Sequence, residues 1–420
     1  MNSAVTSSKV GISQSPPTSP QPQRGHPEQA PTSRGVRPRV TKVWVWVWVW
    51  VWVCGVLPVD FVIRGVLSET RSVIEVLEPK WIACFEEFLR LSGVAEGDLI
   101  GVLAESQSRM VLVELTEHAL HRIGARGVRV TVASPELQDP LPVRSTGATY
   151  AYDEYPEIMA ALGACSLVVD CTVEGLLHSK ARQDLLGAGG RVLMISNEHP
   201  EVLERCRPDP VVHEQSLKAL SLLDAGSAMH VTSPAGTDLQ IDITGAPSRG
   251  GGGILGPNDK IAYWPAGLAL CFPLANTTNG TVILDVGDIN LTFKRYFESQ
   301  VVLTVEDDRV VSIAGSGLDA QLMRDYYQGW NDPNAYAVSH VGWGLNPGAR
   351  WDSLTMYDKG DINGTEMRAI AGSFLFSTGA NEFAERFTSC HFDLPMRNCD
   401  ITVNGTQVVA GGQLVESALG

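Results

Sequence analysis

The chain has 420 residues, of which 44% are hydrophobic and 19% charged, and its formal net charge is -15. That length exceeds one ordinary core, so about two domains are expected, and the composition is that of a globular protein. Lys and Arg gather into no stripe that could follow a phosphate backbone, which argues against nucleic acid as a partner.

Residues 1–42 are rich in Ser, Pro, Gln and Gly and carry almost no large apolar side chains. Such a segment cannot bury enough surface to offset its conformational entropy, so disorder is expected there. From Val43 to Val53, Val and Trp alternate strictly. Three readings stand: a strand apolar on both faces, a membrane anchor preceded by Arg37, Arg39 and Lys42, or a translated nucleotide repeat upstream of the true start. Without an anchor there, nothing in the pattern calls for a membrane. Residues 1–71 are therefore set apart as an N-terminal extension.

Regular patterning begins near Ser72. Residues 79–91 read as a helix, with Pro79 in its first turn, Trp81, Phe85, Phe88 and Leu89 on one face, and Gly93 as its stop. A buried strand follows at 99–104, then a Ser-led helix at 106–123 ended by Gly124. After these come a strand at 128–132, a helix around 157–162, and apolar strands at 167–170 and 191–195. Helices alternating with short apolar strands imply right-handed crossovers and a parallel sheet, so residues 72–225 are expected to form an open α/β domain. After His230, strand-like runs at 239–243, 281–286, 301–305 and 310–314 are divided by Gly, Asn and Asp turns. Residues 226–420 are expected to form a β-rich α+β domain. Gly250 to Gly253 read as a loop, without the strand and helix context of a dinucleotide or phosphate site.

The eight cysteines are scattered, with no Cys-x-x-Cys pair, as expected of buried thiols in a reducing cytoplasm. Cys390 and Cys399 flank the candidate ligands His391 and Asp393 of the dense polar stretch Ser389-Cys-His-Phe-Asp-Leu-Pro395, and packing is the expectation for both. On an extended segment His391 and Asp393 leave the same face and can converge on one ion. His340, within Ser339-His-Val-Gly-Trp-Gly-Leu-Asn-Pro347, is the best third donor. Two imidazoles and a carboxylate on one face leave adjacent positions open, which lets Fe(II) take an organic chelator and O2 side by side; the same donors would also hold Zn(II).

Three stretches resemble the 2,5-dihydroxypyridine 5,6-dioxygenase family of bacterial nicotinate breakdown: Val338-Ser-His-Val-Gly-Trp-Gly-Leu-Asn-Pro347, Ser373-Phe-Leu-Phe-Ser-Thr-Gly-Ala-Asn381 and Cys390-His-Phe-Asp-Leu-Pro-Met-Arg-Asn-Cys-Asp-Ile401. Trp264-Pro-Ala-Gly267, Asn279-Gly-Thr-Val-Ile-Leu-Asp-Val-Gly-Asp288 and Leu176-Leu-His-Ser179 extend the likeness, which runs from about residue 75 to the C-terminus. The resemblance implies an Fe(II) enzyme that uses O2 to open a small hydroxylated N-heteroaromatic between C5 and C6. It implies His340, His391 and Asp393 as iron ligands, His178 as a pocket histidine, Ser377 as a serine near the substrate, and a homo-oligomer; His178 is the candidate acid/base, with Tyr263 and Ser377 orienting substrate. Tyr263 stands where the family carries His, and a pocket Glu of the family has no counterpart in the glycine run. The chain also resembles aminopeptidase T-like metallopeptidases, which use two metals. Leu268-Ala-Leu-Cys-Phe-Pro273 lacks the Glu ligand expected there, so one metal is favoured. A metallopeptidase and a non-catalytic ligand-binding relative remain the alternatives.

Overall fold

The helix Pro79–Leu91 starts on its proline and buries Trp81, Cys84, Phe85, Phe88 and Leu89. Phe85 and Phe88 pack on Trp264, with ring centroids 4.9 and 4.4 Å away. These contacts belong to a computed structural model that describes residues 76–136 and 147–419; the expectations for residues 1–71, the Val-Trp run included, lie outside it.

Five strands form a parallel sheet in the order Arg126–Val132, Leu99–Glu105, Leu167–Asp170, Val192–Ile195, Ile261–Trp264. The first four follow the expected alternation with helices to within a few residues. The helix expected from residue 106 begins instead at Met110, because the chain first makes a turn in which Ser108 Oγ accepts a hydrogen bond from the Glu105 amide at 2.8 Å. The fifth strand comes from residues 261–264, beyond the boundary near 225 drawn from the sequence. Its four residues are too few to show the parallel-sheet pattern by themselves. In this strand order the chain reverses between Leu99–Glu105 and its neighbours, which opens a crevice at the strands' carboxyl ends.

Two large antiparallel sheets and a two-stranded one, Ile289–Asn290 with Arg295–Tyr296, follow, in keeping with a β-rich α+β half. An eight-stranded sheet runs in the order Arg309–Ala314, Val301–Glu306, Thr278–Leu284, Asp238–Asp242, Ala228–Thr232, Asp400–Val403, Thr406–Ala410, Gln413–Leu414. A five-stranded sheet runs Arg386–Met396, Phe374–Asn381, Val338–Gly344, Leu268–Cys271, Ser248–Gly251. The latter's two faces differ as its period-2 pattern requires. Val341, Trp343, Phe374, Phe376, Phe392 and Leu394 share one buried core with Val231, Val282 and Leu303 of the larger sheet. The residues between them, His340, Ser377, His391 and Asp393, point the other way. Gly250 and Gly251 are not in a loop but in the edge strand. Gly250 has φ 138°, and a Cβ there would lie 2.0 Å from the Leu268 carbonyl oxygen, so only glycine lets the two backbones approach.

Among the described residues no helix is long and apolar enough to cross a membrane.

Candidate metal centre

Strand register builds the site. Gly379 pairs with His391, Ser377 with Asp393, and Val341 with both Phe376 and Cys271. Three neighbouring strands therefore aim His340, Ser377, Asp393 and His391 from one face. His340 and His391 bring their Nε2 atoms to 3.4 Å, His340 Nε2 lies 3.6 Å from Asp393 Oδ1, and His391 Nε2 lies 3.2 Å from Asp393 Oδ2. Donors at right angles on an ion with bonds of about 2.1 Å would stand roughly 3.0 Å apart, so little movement is needed to close the set. Among the described residues this is the group of three or more His, Cys, Asp or Glu whose ligand atoms lie within 4.8 Å of one another.

His340 and Asp393 are 4% and 1% exposed. Burial pushes the His340 imidazole down to about 3, so it stays neutral and keeps a lone pair for an ion. Burial alone would raise Asp393, but His391 and Arg368 overcome that and hold its carboxyl well below the usual range. Arg368 Nε donates to Asp393 Oδ2 at 2.5 Å, while Asp393 Oδ1 is buried without a hydrogen-bond partner. The fully buried Ser377 hydroxyl beside it is likewise unpaired. Buried polar atoms are rarely left so, and an ion with its ligands would satisfy them. The residues present fit a divalent metal.

His178 reaches this place from the other half of the fold. It follows the loop after the Leu167–Asp170 strand, and its ring centroid lies 5.5 Å from that of His391. Removal of water from around the ring, with His391, His340 and Arg182 adding like charge, holds its pKa below the usual histidine range. It does not cap the next helix: Ser179 does, accepting from the Arg182 amide at 3.2 Å. Two carboxylates at the crevice hold the loop. Asp170 accepts from Thr172 N, Thr172 Oγ1 and Leu176 N at 3.0, 2.7 and 2.7 Å, and Glu105 accepts from Val173 N at 2.8 Å.

Tyr263 is half-buried in the strand Ile261–Trp264, paired with Met194 of the neighbouring strand. Burial raises its phenol, while the charge of Arg368 pulls the other way. Cys390 and Cys399 do not join the triad. Cys390 points into the core, 3.6 Å from the Tyr326 hydroxyl, with its thiol pushed up to about 12, and Cys399 Sγ faces the Arg397 carbonyl at 3.5 Å. Sequence spacing missed Arg368, since nothing ties a residue of the short helix Thr365–Ala369 to a strand so far along the chain. It also missed Phe272, whose ring lies 5.4 Å from His340. Leu268, Leu270 and Leu375 form an apolar cluster on the same sheet face.

The model of 2,5-dihydroxypyridine 5,6-dioxygenase matches residues 80–416. A 2,5-dihydroxypyridine 5,6-dioxygenase of Pseudomonas putida KT2440 is 35% identical over 337 residues, covering 79% of this chain and 95% of that protein. The solved structure of 2,5-dihydroxypyridine dioxygenase from that organism superposes with a TM-score of 0.74 at 34% identity, covering 80% of this chain and 96% of the other. AmpT from Thermus thermophilus shares the fold, with a TM-score of 0.56 at 15% identity over 80% of this chain and 99% of its own. The chain belongs to the 2,5-dihydroxypyridine 5,6-dioxygenase family.

Proposed function

We propose that this protein is a ring-cleaving dioxygenase that acts with O2 on 2,5-dihydroxypyridine or a related hydroxylated N-heteroaromatic, using Fe(II) held by His340, His391 and Asp393. The observation that carries the proposal is the buried two-histidine, one-carboxylate set on one sheet face, with Asp393 Oδ1 free of any hydrogen bond. When bound, ferrous iron would supply the one-electron chemistry that lets O2 react with a closed-shell ring.

The chain's own residues supply the rest. Arg368 occupies Asp393 Oδ2, so the carboxylate offers Oδ1 alone and its orientation is fixed before an ion arrives. His178, neutral near pH 7, can take a proton from a ring hydroxyl on a ring nitrogen and return it later. Ser377 Oγ–H, unpaired and beside Asp393, can donate to a substrate oxygen, and Tyr263 can orient the ring. Phe272 walls the site next to His340 and keeps water from that flank.

The test is purified protein assayed for bound iron and for O2 consumption across a panel of hydroxypyridines. About one iron per chain and substrate-dependent O2 uptake are expected. Protein that binds two divalent ions and hydrolyses leucine amide, or that takes up no O2 with any of the panel, would overturn the proposal.

A further inference from the structure

The sheet face that carries the triad continues past His340 to a positively charged end. Leu270 pairs with Gly342 on one side and with Arg249 on the other, so Arg249 leaves the same face as Leu270 and, one pleat along, Phe272 and His340. Two strand spacings of about 4.8 Å and one pleat of about 6.6 Å set Arg249 roughly 12 Å from the His340 backbone, with its long side chain to span part of that gap. A row of rings joins the two ends: Phe272 lies 5.4 Å from His340 and 5.3 Å from Phe383, and the Arg249 guanidinium sits 5.0 Å from the Phe383 centroid.

Arg182, four residues after His178, lies in the first turn of the helix Lys180–Gly187 in the parallel-sheet half, and its charge is felt at His178 while that of Arg249 is felt at Arg182. It is half-buried, its Nε is sealed from solvent, and its guanidinium makes no hydrogen bond or ion pair among the described residues. Among the described residues the Arg249 side chain donates to the Ser248 carbonyl, at 2.7 Å. The opposing charge felt by Arg182 is Glu382, which is exposed and not within ion-pair distance. Two guanidiniums against one solvated carboxylate leave a net positive end to an otherwise apolar wall. A partly buried cation without a partner is costly, and guanidinium pairs best with a planar carboxylate.

We propose that this site takes a hydroxylated aromatic ring that also carries a carboxylate, with the ring against Phe272 and Phe383, its hydroxyls toward the triad, and the carboxylate held by Arg249 and Arg182. The assignment rests on the dioxygenase proposal for where the ring oxygens go, and it narrows the substrate to an anionic class.

The experiment compares 2,5-dihydroxypyridine with the same ring bearing one carboxylate. Dissociation constants are measured without O2 on the full chain, with and without added Fe(II), for the parent protein, Arg249→Gln, Arg182→Gln and the double variant. The carboxylated ring should bind about tenfold or more tightly than the neutral one, as expected of a charge-assisted hydrogen bond. Each single substitution should shrink that ratio and the double variant should bring it close to one. Equal binding of the two rings, failure of both to bind, or a preference that survives the double substitution overturns the proposal. Iron content is read separately, so a chain that holds no iron counts against the dioxygenase proposal while the ratio of the two affinities still judges this one. Arg249 is exposed on an edge strand, so its variant should fold even if the Arg182 variant does not.

Discussion

At the scale of single residues, the centre depends on how one carboxylate is divided. Asp393 gives Oδ2 to Arg368 and keeps Oδ1 unpaired beside His340. If His340, His391 and Asp393 hold the catalytic ion, replacing any one with Ala should abolish turnover and strip the protein of iron. His178→Ala should retain iron while the rate falls by about a hundredfold to ten-thousandfold, the usual loss when a general acid/base is removed. Metal analysis with single-turnover kinetics separates the two outcomes; an Asp393→Ala protein with full iron and full activity would sink the assignment. Arg368→Gln should weaken metal affinity about tenfold to a hundredfold, as loss of a ligand's hydrogen-bond partner does, and a Co(II) titration followed by absorbance reads this without any assay of turnover. Arg368→Lys should restore part of it, since Lys keeps the charge without the planar guanidinium.

At the scale of elements, two devices aim these residues. The short helix Thr365–Ala369 that carries Arg368 is held at its start by Glu198, whose carboxylate accepts from the Asn363, Gly364 and Glu366 amides at 2.9, 2.8 and 3.3 Å. The loop that carries His178 is held by Asp170 in the same manner. Asp170 is fully buried, and burial raises its carboxyl to about 6 despite the three hydrogen bonds it accepts. An unfolded Asp titrates near 3.9, so between about pH 4 and 6 the folded chain binds more protons at this site than the unfolded one. Its contribution to stability is therefore complete below about pH 4 and is lost as pH rises through 6. Asp170→Asn should remove that part of the slope, giving a thermal midpoint that declines less steeply over this window than the parent's. A slope unchanged from the parent would refute the shifted titration. The sequence showed the strand that ends at Asp170 but not the devices. A carboxylate that caps a helix more than 160 residues away leaves no local pattern.

At the scale of the whole molecule, residues 71–420 form one unit and the family match begins at residue 80. A chain beginning at Leu67 should therefore match the full chain in solubility, thermal midpoint and turnover; loss of folding in the shorter chain would count decisively against this. The parallel sheet presents His178 at its carboxyl crevice and the antiparallel sheet presents the triad, and the strand Ile261–Trp264 joins the first sheet just before Leu268–Cys271 enters the second. Trp264 anchors that junction, fully buried against Phe85 and Phe88, with its indole Nε1 donating to the Cys206 carbonyl at 2.8 Å. The amino-acid sequence by itself determined the kind of most elements, though not of the edge strand Ser248–Gly251 or the four-residue strand Ile261–Trp264, because helix and strand periods act within a few residues. The shared face of His391 and Asp393 follows from that rule alone. Only the tertiary structure decided that His340 lies two strands away on the same face, that Arg368 claims one Asp393 oxygen, and that His178 and Arg182 cross from the parallel sheet to the site. Those placements rest on strand pairing and buried charge compensation between distant segments, which local periodicity does not encode.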